Sequence, residues 1–147
     1  MANGRSRPEG PSSFASPTVL VVDDEVFVRI LIEDALTDGG YAVKVASSGA
    51  EAISILESDE EPPRALVTDV NLGRSPKGWD VARRARELNP ALPVVYVTGD
   101  SAHEWATQGV PGSLVLIKPF APAQLVTAVS ALLVEADTHA LSKTPEV

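Results

Sequence analysis

The hydrophobic positions of the chain fall into five short runs separated by longer segments with helical periodicity. Four runs consist almost entirely of Val, Leu and Ile, which is typical of strands covered on both faces, whereas the second alternates as an edge strand does. The runs are Thr18 to Val22, Tyr41 to Ala46, Ala65 to Thr68, Val94 to Val97 and Leu114 to Ile117. Because strands and helices alternate along the chain, the pattern predicts a doubly wound α/β fold around a parallel sheet.

The intervening segments predict five helices. Phe27, Leu31 and Ala35 recur at i, i+4 and i+8, so we expect them on the apolar face of the first helix. Residues 48–51 form a Ser-Gly-Ala-Glu capping box that predicts the start of the second helix. The fifth helix has the most regular apolar stripe, while the fourth, over residues 101–108, is short and weakly patterned.

The two ends of the chain differ in composition from its body. Residues 1–17 are rich in Ser, Pro and Gly, which cannot bury enough apolar surface to order a chain, so a flexible lead is predicted. Residues 137–147 are polar and predict a short tail. One domain with a single core is therefore expected over residues 18–136.

Composition and charge narrow the classes of function. The absence of cysteine excludes disulfides, thiolate zinc sites and cysteine nucleophiles. A net charge of −8 disfavours direct binding to nucleic acid or to an anionic membrane. Arg83, Arg84 and Arg86 form the one basic cluster, on the solvated side of the third helix, so nucleic acid is not an expected partner. Because the sequence contains neither an apolar stretch of about 18 residues nor an apolar signal core, a cytoplasmic location is expected.

Polar residues follow four of the five strands, at the end of the sheet where α/β proteins place their binding sites. They are Asp23 and Asp24 after the first strand, Asp69 at the third, Thr98 at the fourth and Lys118 after the fifth. Each residue alone has an ordinary interpretation as a helix cap, a turn residue or a solvated side chain. Together they would bring three carboxylates, a hydroxyl and an ammonium group to one edge of the sheet.

A cluster of three carboxylates needs a cation, because mutual repulsion otherwise raises their pKa values and costs stability. All-oxygen ligands suit a hard divalent ion, and Mg²⁺ commonly uses one or two carboxylates with waters and a phosphate oxygen. A magnesium ion beside a lysine suits phosphoryl transfer, in which positioning and charge neutralisation supply most of the catalysis. Asp69 is then placed to attack phosphorus and form an aspartyl phosphate.

The strand-end motifs resemble those of the receiver domains of two-component response regulators. The matching motifs are Val21-Val22-Asp23-Asp24-Glu25, Thr68-Asp69-Val70-Asn71, Val97-Thr98-Gly99 and Lys118-Pro119-Phe120. The resemblance, which covers residues 18–135, implies a flavodoxin-like fold with five helices and a five-stranded parallel sheet in the order 2-1-3-4-5. It also implies a signalling phosphoacceptor, and not an enzyme, of the stand-alone single-domain type.

The resemblance implies a role for each residue of the metal site. Asp69 is the expected phosphate acceptor. Asp24 and Asp69, with the backbone carbonyl of Asn71, are expected to bind Mg²⁺, and Asp23 to act on the ion through water.

The resemblance also implies roles for Lys118 and Thr98. Lys118 is expected to neutralise the phosphoryl oxygens, and its peptide bond to Pro119 is expected to be cis. Thr98 is expected to rotate inward and hydrogen-bond one of these oxygens. Asp100 and Asn71 are expected to steer water onto the phosphoryl group and so to shorten its lifetime.

Three features depart from the usual pattern of this family. The family commonly has a proline where Gly73 stands and one residue fewer in the loop after Asp69. It commonly has Tyr or Phe where Val115 stands, so an aromatic switch is not expected here. Thr98 and Lys118 are 20 positions apart, slightly fewer than is common, which predicts a short or remodelled fourth helix.

The expected partners also follow from the resemblance. A sensor histidine kinase or a histidine phosphotransfer protein would donate the phosphoryl group. It would dock on Val26, Phe27 and Ile30 of the first helix and on the loop Pro119 to Pro122. Output would be contact with a downstream protein, and a homodimer through the fourth helix, fifth strand and fifth helix is also consistent with the family.

Two alternative functions stay open. The first is a magnesium-dependent phosphohydrolase acting through an aspartyl phosphate, which is disfavoured because such enzymes carry Asp-x-Asp where this chain has Asp69-Val70-Asn71. The second is a receiver that docks constitutively, which the intact acidic set argues against. The sequence is consistent with a freestanding protein or with the terminal receiver of a larger hybrid kinase, and the Met1 start and the 17-residue lead favour the former.

Overall fold

The computed structural model describes residues 16–58 and 61–142. Most of the predicted lead and the end of the predicted tail lie outside the described residues. The strands are β1 (Thr18–Val22), β2 (Ala42–Ala46), β3 (Ala65–Asp69), β4 (Val94–Thr98) and β5 (Leu114–Ile117). The helices are α1 (Val26–Asp38), α2 (Gly49–Ser58), α3 (Gly78–Leu88), α4 (Trp105–Gln108), preceded by a 3-10 turn over Ala102–Glu104, and α5 (Pro122–Ser142).

All five strands are parallel and lie in the order β2-β1-β3-β4-β5, which confirms the predicted fold class. The strand register aligns their carboxyl ends, since Val22 pairs with Thr68, Asp69 with Val97 and Thr98 with Ile117. The polar residues that end or follow these strands therefore meet at one edge.

Apolar side chains fill a core on each face of the sheet. Leu20, Leu66 and Tyr96 pack with α2 and α3 on one face, whereas Val21 and Val95 pack with α1 and α5 on the other. The three central strands are almost completely buried, as their continuous apolar runs predict, and β2 is largely exposed, as expected of an edge strand.

The apolar stripe that predicts α1 is not the face that the helix buries. Phe27 is 86% exposed, as its expected place on a docking surface requires, and Leu31 is 46% exposed. Ile32, Ala35 and Leu36 are buried in their place. The first two turns of the helix are apolar on both sides, so the period alone does not determine which side faces the sheet.

The other helices follow the sequence signals more closely. Ser48 Oγ accepts a hydrogen bond from Glu51 N at 3.1 Å at the predicted start of α2, although the Glu51 carboxylate reaches Ser47 N and not Ser48 N. Helix α4 is a single turn, as the weak pattern predicts. Helix α5 continues through residues 137–142, where the sequence predicts a tail, and the domain boundary at residue 136 stays a prediction.

The basic cluster of α3 is engaged with protein partners. Arg84 forms an ion pair with Glu57 at 2.8 Å, and Arg86 Nε donates to the carbonyl oxygen of Leu92 at 2.7 Å. Arg83 donates to the last carbonyl of α4. Among the described residues, no helix has the length and apolarity needed to cross a bilayer.

Gly78, the first residue of α3, lies directly against the end of β3. A Cβ atom there would lie 2.0 Å from the Asp69 carbonyl oxygen and 2.8 Å from Val70 Cα, so backbone atoms would have to move. We expect Gly78→Ala to lower the free energy of unfolding by about 1 to 3 kcal/mol, the usual cost of overpacking. Urea titration measures the difference.

Gly99→Ala is the matched control, because a Cβ at Gly99 would meet no atom within 4 Å. Its free energy of unfolding should stay within about 0.5 kcal/mol of the wild-type value. Equal losses for the two variants would contradict the steric explanation.

Candidate functional site

The predicted site residues meet at the carboxyl edge of the sheet, around a cleft of about 500 Å³. The cleft is lined by Asp24, Glu25, Asp69, Asn71, Gly73, Gly99, Asp100 and Lys118. Asp23 and Thr98 are fully buried beside it, at the ends of β1 and β4. The structure therefore brings together every strand-end residue that the sequence analysis singled out.

Asp69 is held in place by hydrogen bonds to both carboxylate oxygens. Its Oδ2 accepts from Lys118 Nζ at 3.0 Å, and its Oδ1 accepts from the backbone N–H of Asn71 at 3.2 Å. Burial raises the pKa of Asp69, and the bond and charge of Lys118 oppose this rise. The residue is 5% exposed and lines the cleft, so its carboxylate is oriented and has limited solvation.

Asp23 is a fully buried carboxylate, and only one of its two oxygens accepts a hydrogen bond from the described residues. Its Oδ1 accepts from Glu25 N at 2.8 Å, whereas its Oδ2 has no hydrogen-bond partner among the described residues and lies 3.6 Å from Lys118 Nζ. Burial raises the pKa of Asp23 to about 6, and the nearby charge of Asp69 adds to the rise. A buried oxygen without a hydrogen bond is costly, and a cation would remove that cost.

Asp23, Asp24 and Asp69 each offer an oxygen, and these atoms all lie within 4.8 Å of one another. This donor set and the unpaired Asp23 Oδ2 fit a hard divalent ion such as Mg²⁺. The fit agrees with the predicted metal ligands among the carboxylates. The metal contact of the Asn71 carbonyl stays a prediction.

Lys118 connects the two buried carboxylates. Burial alone would lower its pKa, but the hydrogen bond to Asp69 and the charges of Asp69 and Asp23 outweigh burial and raise the pKa. The ammonium group therefore stays charged beside both acids. The Lys118-Pro119 peptide is cis, as predicted.

The loop after β3 contains the extra residue noted in the sequence. Gly73 has φ of +84°, a backbone conformation that proline cannot adopt, which explains why the usual proline is absent. A Cβ at Gly73 would lie 3.3 Å from Asp24 Oδ2. The remodelled loop therefore passes close to the proposed metal ligands.

The side chains of Thr98 and Asn71 are hydrogen-bonded to the loop after β4. Thr98 Oγ1 accepts from Ser101 N at 2.9 Å and from Asp100 N at 3.3 Å. Asn71 Nδ2 donates to Asp100 Oδ1 and to Ser101 Oγ, each at 3.1 Å. Sequence reasoning missed Ser101, whose only signal is its position three residues after Thr98.

Comparison with known proteins identifies relatives of the chain. The family model described as "Response regulator receiver domain" matches residues 19–130. Response regulator MprA of Mycobacterium tuberculosis is 35% identical over 120 residues, which are 80% of this chain and 51% of MprA. MprA of Mycobacterium avium is 35% identical over 117 residues, or 78% of this chain and 50% of that protein. The chain therefore spans about half the length of the curated relatives it matches.

Solved structures give the same result for the fold. A response regulator receiver protein from Sinorhizobium medicae is 47% identical, with a TM-score of 0.80 covering 82% of this chain and 97% of that one. Chemotaxis protein CheY4 of Vibrio cholerae is 26% identical, with a TM-score of 0.71 covering 80% of this chain and 99% of that one.

The raised pKa of Asp23 predicts a pH-dependent stability in EDTA. Between the ordinary value of 3.8 and about 6, the folded protein keeps the Asp23 proton and the unfolded chain releases it. Stability therefore falls as the pH rises through this window. Asp23→Asn should flatten this dependence and raise the free energy of unfolding at pH 7.5 by about 1 to 3 kcal/mol.

Chemical denaturation in EDTA at several pH values measures this effect. Asp34→Asn removes an exposed carboxylate in the middle of α1 and should follow the wild-type curve. Adding Mg²⁺ should stabilise the wild type more at pH 7.5 than at pH 5, because protons compete with the ion for the carboxylates. Parallel pH curves for wild type and Asp23→Asn would show that the pH dependence of stability does not come from Asp23.

Proposed function

The chain belongs to the response regulator receiver family, and we propose that it accepts a phosphoryl group on Asp69 from a phosphohistidine donor in a two-component phosphorelay. Receiver domains are signalling phosphoacceptors. The observation that carries the proposal is the Asp69 carboxylate, oriented at 3.0 Å from Lys118 Nζ inside an acidic cleft. Membership of the family supports this class of function, and the geometry supports Asp69 as the acceptor.

In the proposed reaction, a carboxylate oxygen of Asp69 attacks phosphorus while the phosphorus–nitrogen bond of the donor breaks. The imidazole nitrogen leaves with the electron pair of that bond and takes up a proton. Lys118, at 3.0 Å from Asp69 Oδ2, offsets the negative charge brought by the phosphoryl oxygens. Two positive centres are needed, since the cleft already holds three carboxylates.

Asp23, Asp24, Asp69 and the carbonyl of Asn71 are the proposed ligands of Mg²⁺. When bound, the ion supplies further charge neutralisation for the phosphoryl oxygens. The protein contributes the positions of these oxygens: Asp23 is fixed by Glu25 N, and Asp69 by Asn71 N.

The proposed donor-docking site is the α1 apolar surface, which consists of Val26, Phe27, Ile30 and Leu31. Their exposed fractions are 53%, 86%, 48% and 46%. Four large apolar side chains on one exposed helix are unusual for a surface that contacts only water, and such patches mark interaction sites. The helix begins two residues after Asp24 and therefore borders the cleft, where a histidine kinase or phosphotransfer protein would have to approach. We propose output through contact with a downstream protein.

The acceptor assignment predicts a specific mass change. Incubation with acetyl phosphate and Mg²⁺ should add one phosphoryl group to the wild type and none to Asp69→Asn, because an amide is not a competent nucleophile here. Intact-mass spectrometry measures the gain, and EDTA should abolish it. Incorporation by Asp69→Asn at the wild-type level would rule out Asp69, and turnover of a simple phosphate ester would favour a phosphohydrolase.

The docking assignment predicts that a change on the α1 apolar surface slows phosphotransfer from a protein donor but not from a small-molecule donor. Phe27→Ala should reduce kcat/KM for phosphotransfer from a cognate histidine kinase about 5- to 30-fold, the loss expected for an interface anchor, and leave phosphorylation by acetyl phosphate unchanged. Radiolabel transfer from autophosphorylated kinases of the same genome measures this.

Val134→Ala is the control, since Val134 is 64% exposed on α5, away from the cleft. It should transfer at the wild-type rate. The docking proposal fails if both variants lose transfer equally or if Phe27→Ala also slows acetyl phosphate.

A further inference from the structure

A side-chain bridge crosses the rim of the cleft from the loop after β3 to the loop after β4. Asn71 Nδ2 donates to Asp100 Oδ1 and Ser101 Oγ at 3.1 Å, and Ser101 Oγ donates to Asp100 Oδ1 at 3.2 Å. We call this set of bonds the Asn71 latch. Asn71 and Asp100 both line the cleft, and Ser101 is 8% exposed, so the latch ties a rim residue to a buried one.

The latch bonds to Asp100 and Ser101, the same two residues whose backbone N–H groups donate to the Thr98 hydroxyl oxygen. The Thr98 hydroxyl oxygen accepts from the backbone N–H groups of Asp100 and Ser101 and is turned toward its own loop. If Thr98 rotated toward a phosphoryl group on Asp69, both N–H groups would lose this acceptor. A buried donor without a partner is costly, so residues 100 and 101 would have to rearrange together with Thr98.

Asn71 is also bonded to the acceptor itself. Its backbone N–H donates to Asp69 Oδ1 at 3.2 Å, so one residue contacts Asp69 through its main chain and the loop after β4 through its side chain. Phosphorylation would add negative charge to a cleft whose rim already carries the Asp100 carboxylate. Repulsion between these charges opposes the latched position of Asp100.

The strand β5 offers no aromatic side chain for a switch. Val115 is partly buried against the core formed with α2 and α3 and carries neither a ring nor a hydroxyl. A conformational change that starts at Thr98 must therefore be governed by the loop after β4, which the latch restrains.

We propose that Asn71 is a positioning residue whose side-chain amide holds the β4–α4 loop, residues 99–104, so that Thr98 stays turned away from Asp69 until the acceptor is phosphorylated. This inference rests on the proposed phosphoacceptor function. The amide acts through Asp100 and Ser101, not on the phosphoryl group, and it opposes the population of the switched state.

Amide hydrogen exchange of residues 99–104 tests the latch in the full chain. Asn71→Ala removes the amide and keeps the backbone carbonyl, and it should speed exchange about three- to tenfold in the unphosphorylated protein, because the hydrogen bonds to Asp100 and Ser101 are lost. Asp100→Asn keeps an Oδ1 acceptor and should exchange like the wild type. Equal acceleration in the two variants would overturn the proposal, because it would assign the effect to the charge of Asp100.

Beryllium fluoride with Mg²⁺, a phosphoryl mimic, separates a latch from a purely structural role. It should raise exchange of residues 99–104 in the wild type to about the Asn71→Ala level and produce little further change in Asn71→Ala. Fully additive effects, or wild-type exchange in Asn71→Ala, would refute the latch. Mass spectrometry after acetyl phosphate treatment tests the acceptor separately: if neither protein gains a phosphoryl group, the proposed function fails, while the variant comparison without phosphate still decides the latch.

Discussion

The site depends on an electrostatic imbalance. Within the described residues, three clustered carboxylates share one ammonium group, that of Lys118. Two of the acids, Asp23 and Asp69, are buried, and their raised pKa values reflect the cost of holding charge away from water. A core built only for stability would not place them there. A divalent cation bound among these carboxylates would offset the imbalance, so the site is consistent with the proposed phosphoacceptor function, in which stability is given up for reactivity.

Close backbone packing makes this arrangement possible. Gly78 brings the start of α3 against the Asp69 carbonyl, and its N–H donates to Val70 O at 2.9 Å. A Cβ at Gly49 would lie 2.2 Å from the carbonyl oxygen of Pro76, so the loop after β3 also rests on the start of α2. These two contacts fix the loop that carries Asn71 without using side chains from the cleft. Asp69 and the loop after it are thus held by main-chain packing that does not depend on the charged side chains of the cleft.

Sequence reasoning succeeded where a single physical requirement dominates. Strands covered on both faces must be apolar throughout, and parallel strands must end at the same edge, so β1, β3 and β4 and their terminal acids were predictable. The face of α1 was not, because Phe27 and Ile32 are equally apolar and only packing against the sheet and α5 distinguishes them. The end of α5 was missed because residues 137–142 are mostly polar and were interpreted as a tail, although they contain neither Gly nor Pro to stop a helix. The contacts of Asn71 with Asp100 and Ser101 depend on how two loops are placed in space, and no local pattern encodes this.

The two sides of the cleft differ in structure, and this difference is consistent with donor docking on one side and the proposed conformational response on the other. The α1 side is a regular helix of thirteen residues whose inner face is anchored in the core. The opposite side is a loop with a 3-10 turn, followed by the single helical turn of α4. Beyond the loop, two side-chain hydrogen bonds hold α4 and the residues after it. Trp105 Nε1 donates to Ser113 Oγ at 2.9 Å, and Tyr96 Oη accepts from Val110 N at 3.1 Å. Because these anchors hold α4 and the residues after it, we expect the proposed rearrangement at Thr98 to be confined to residues 99–104, the segment between Thr98 and the anchored turn.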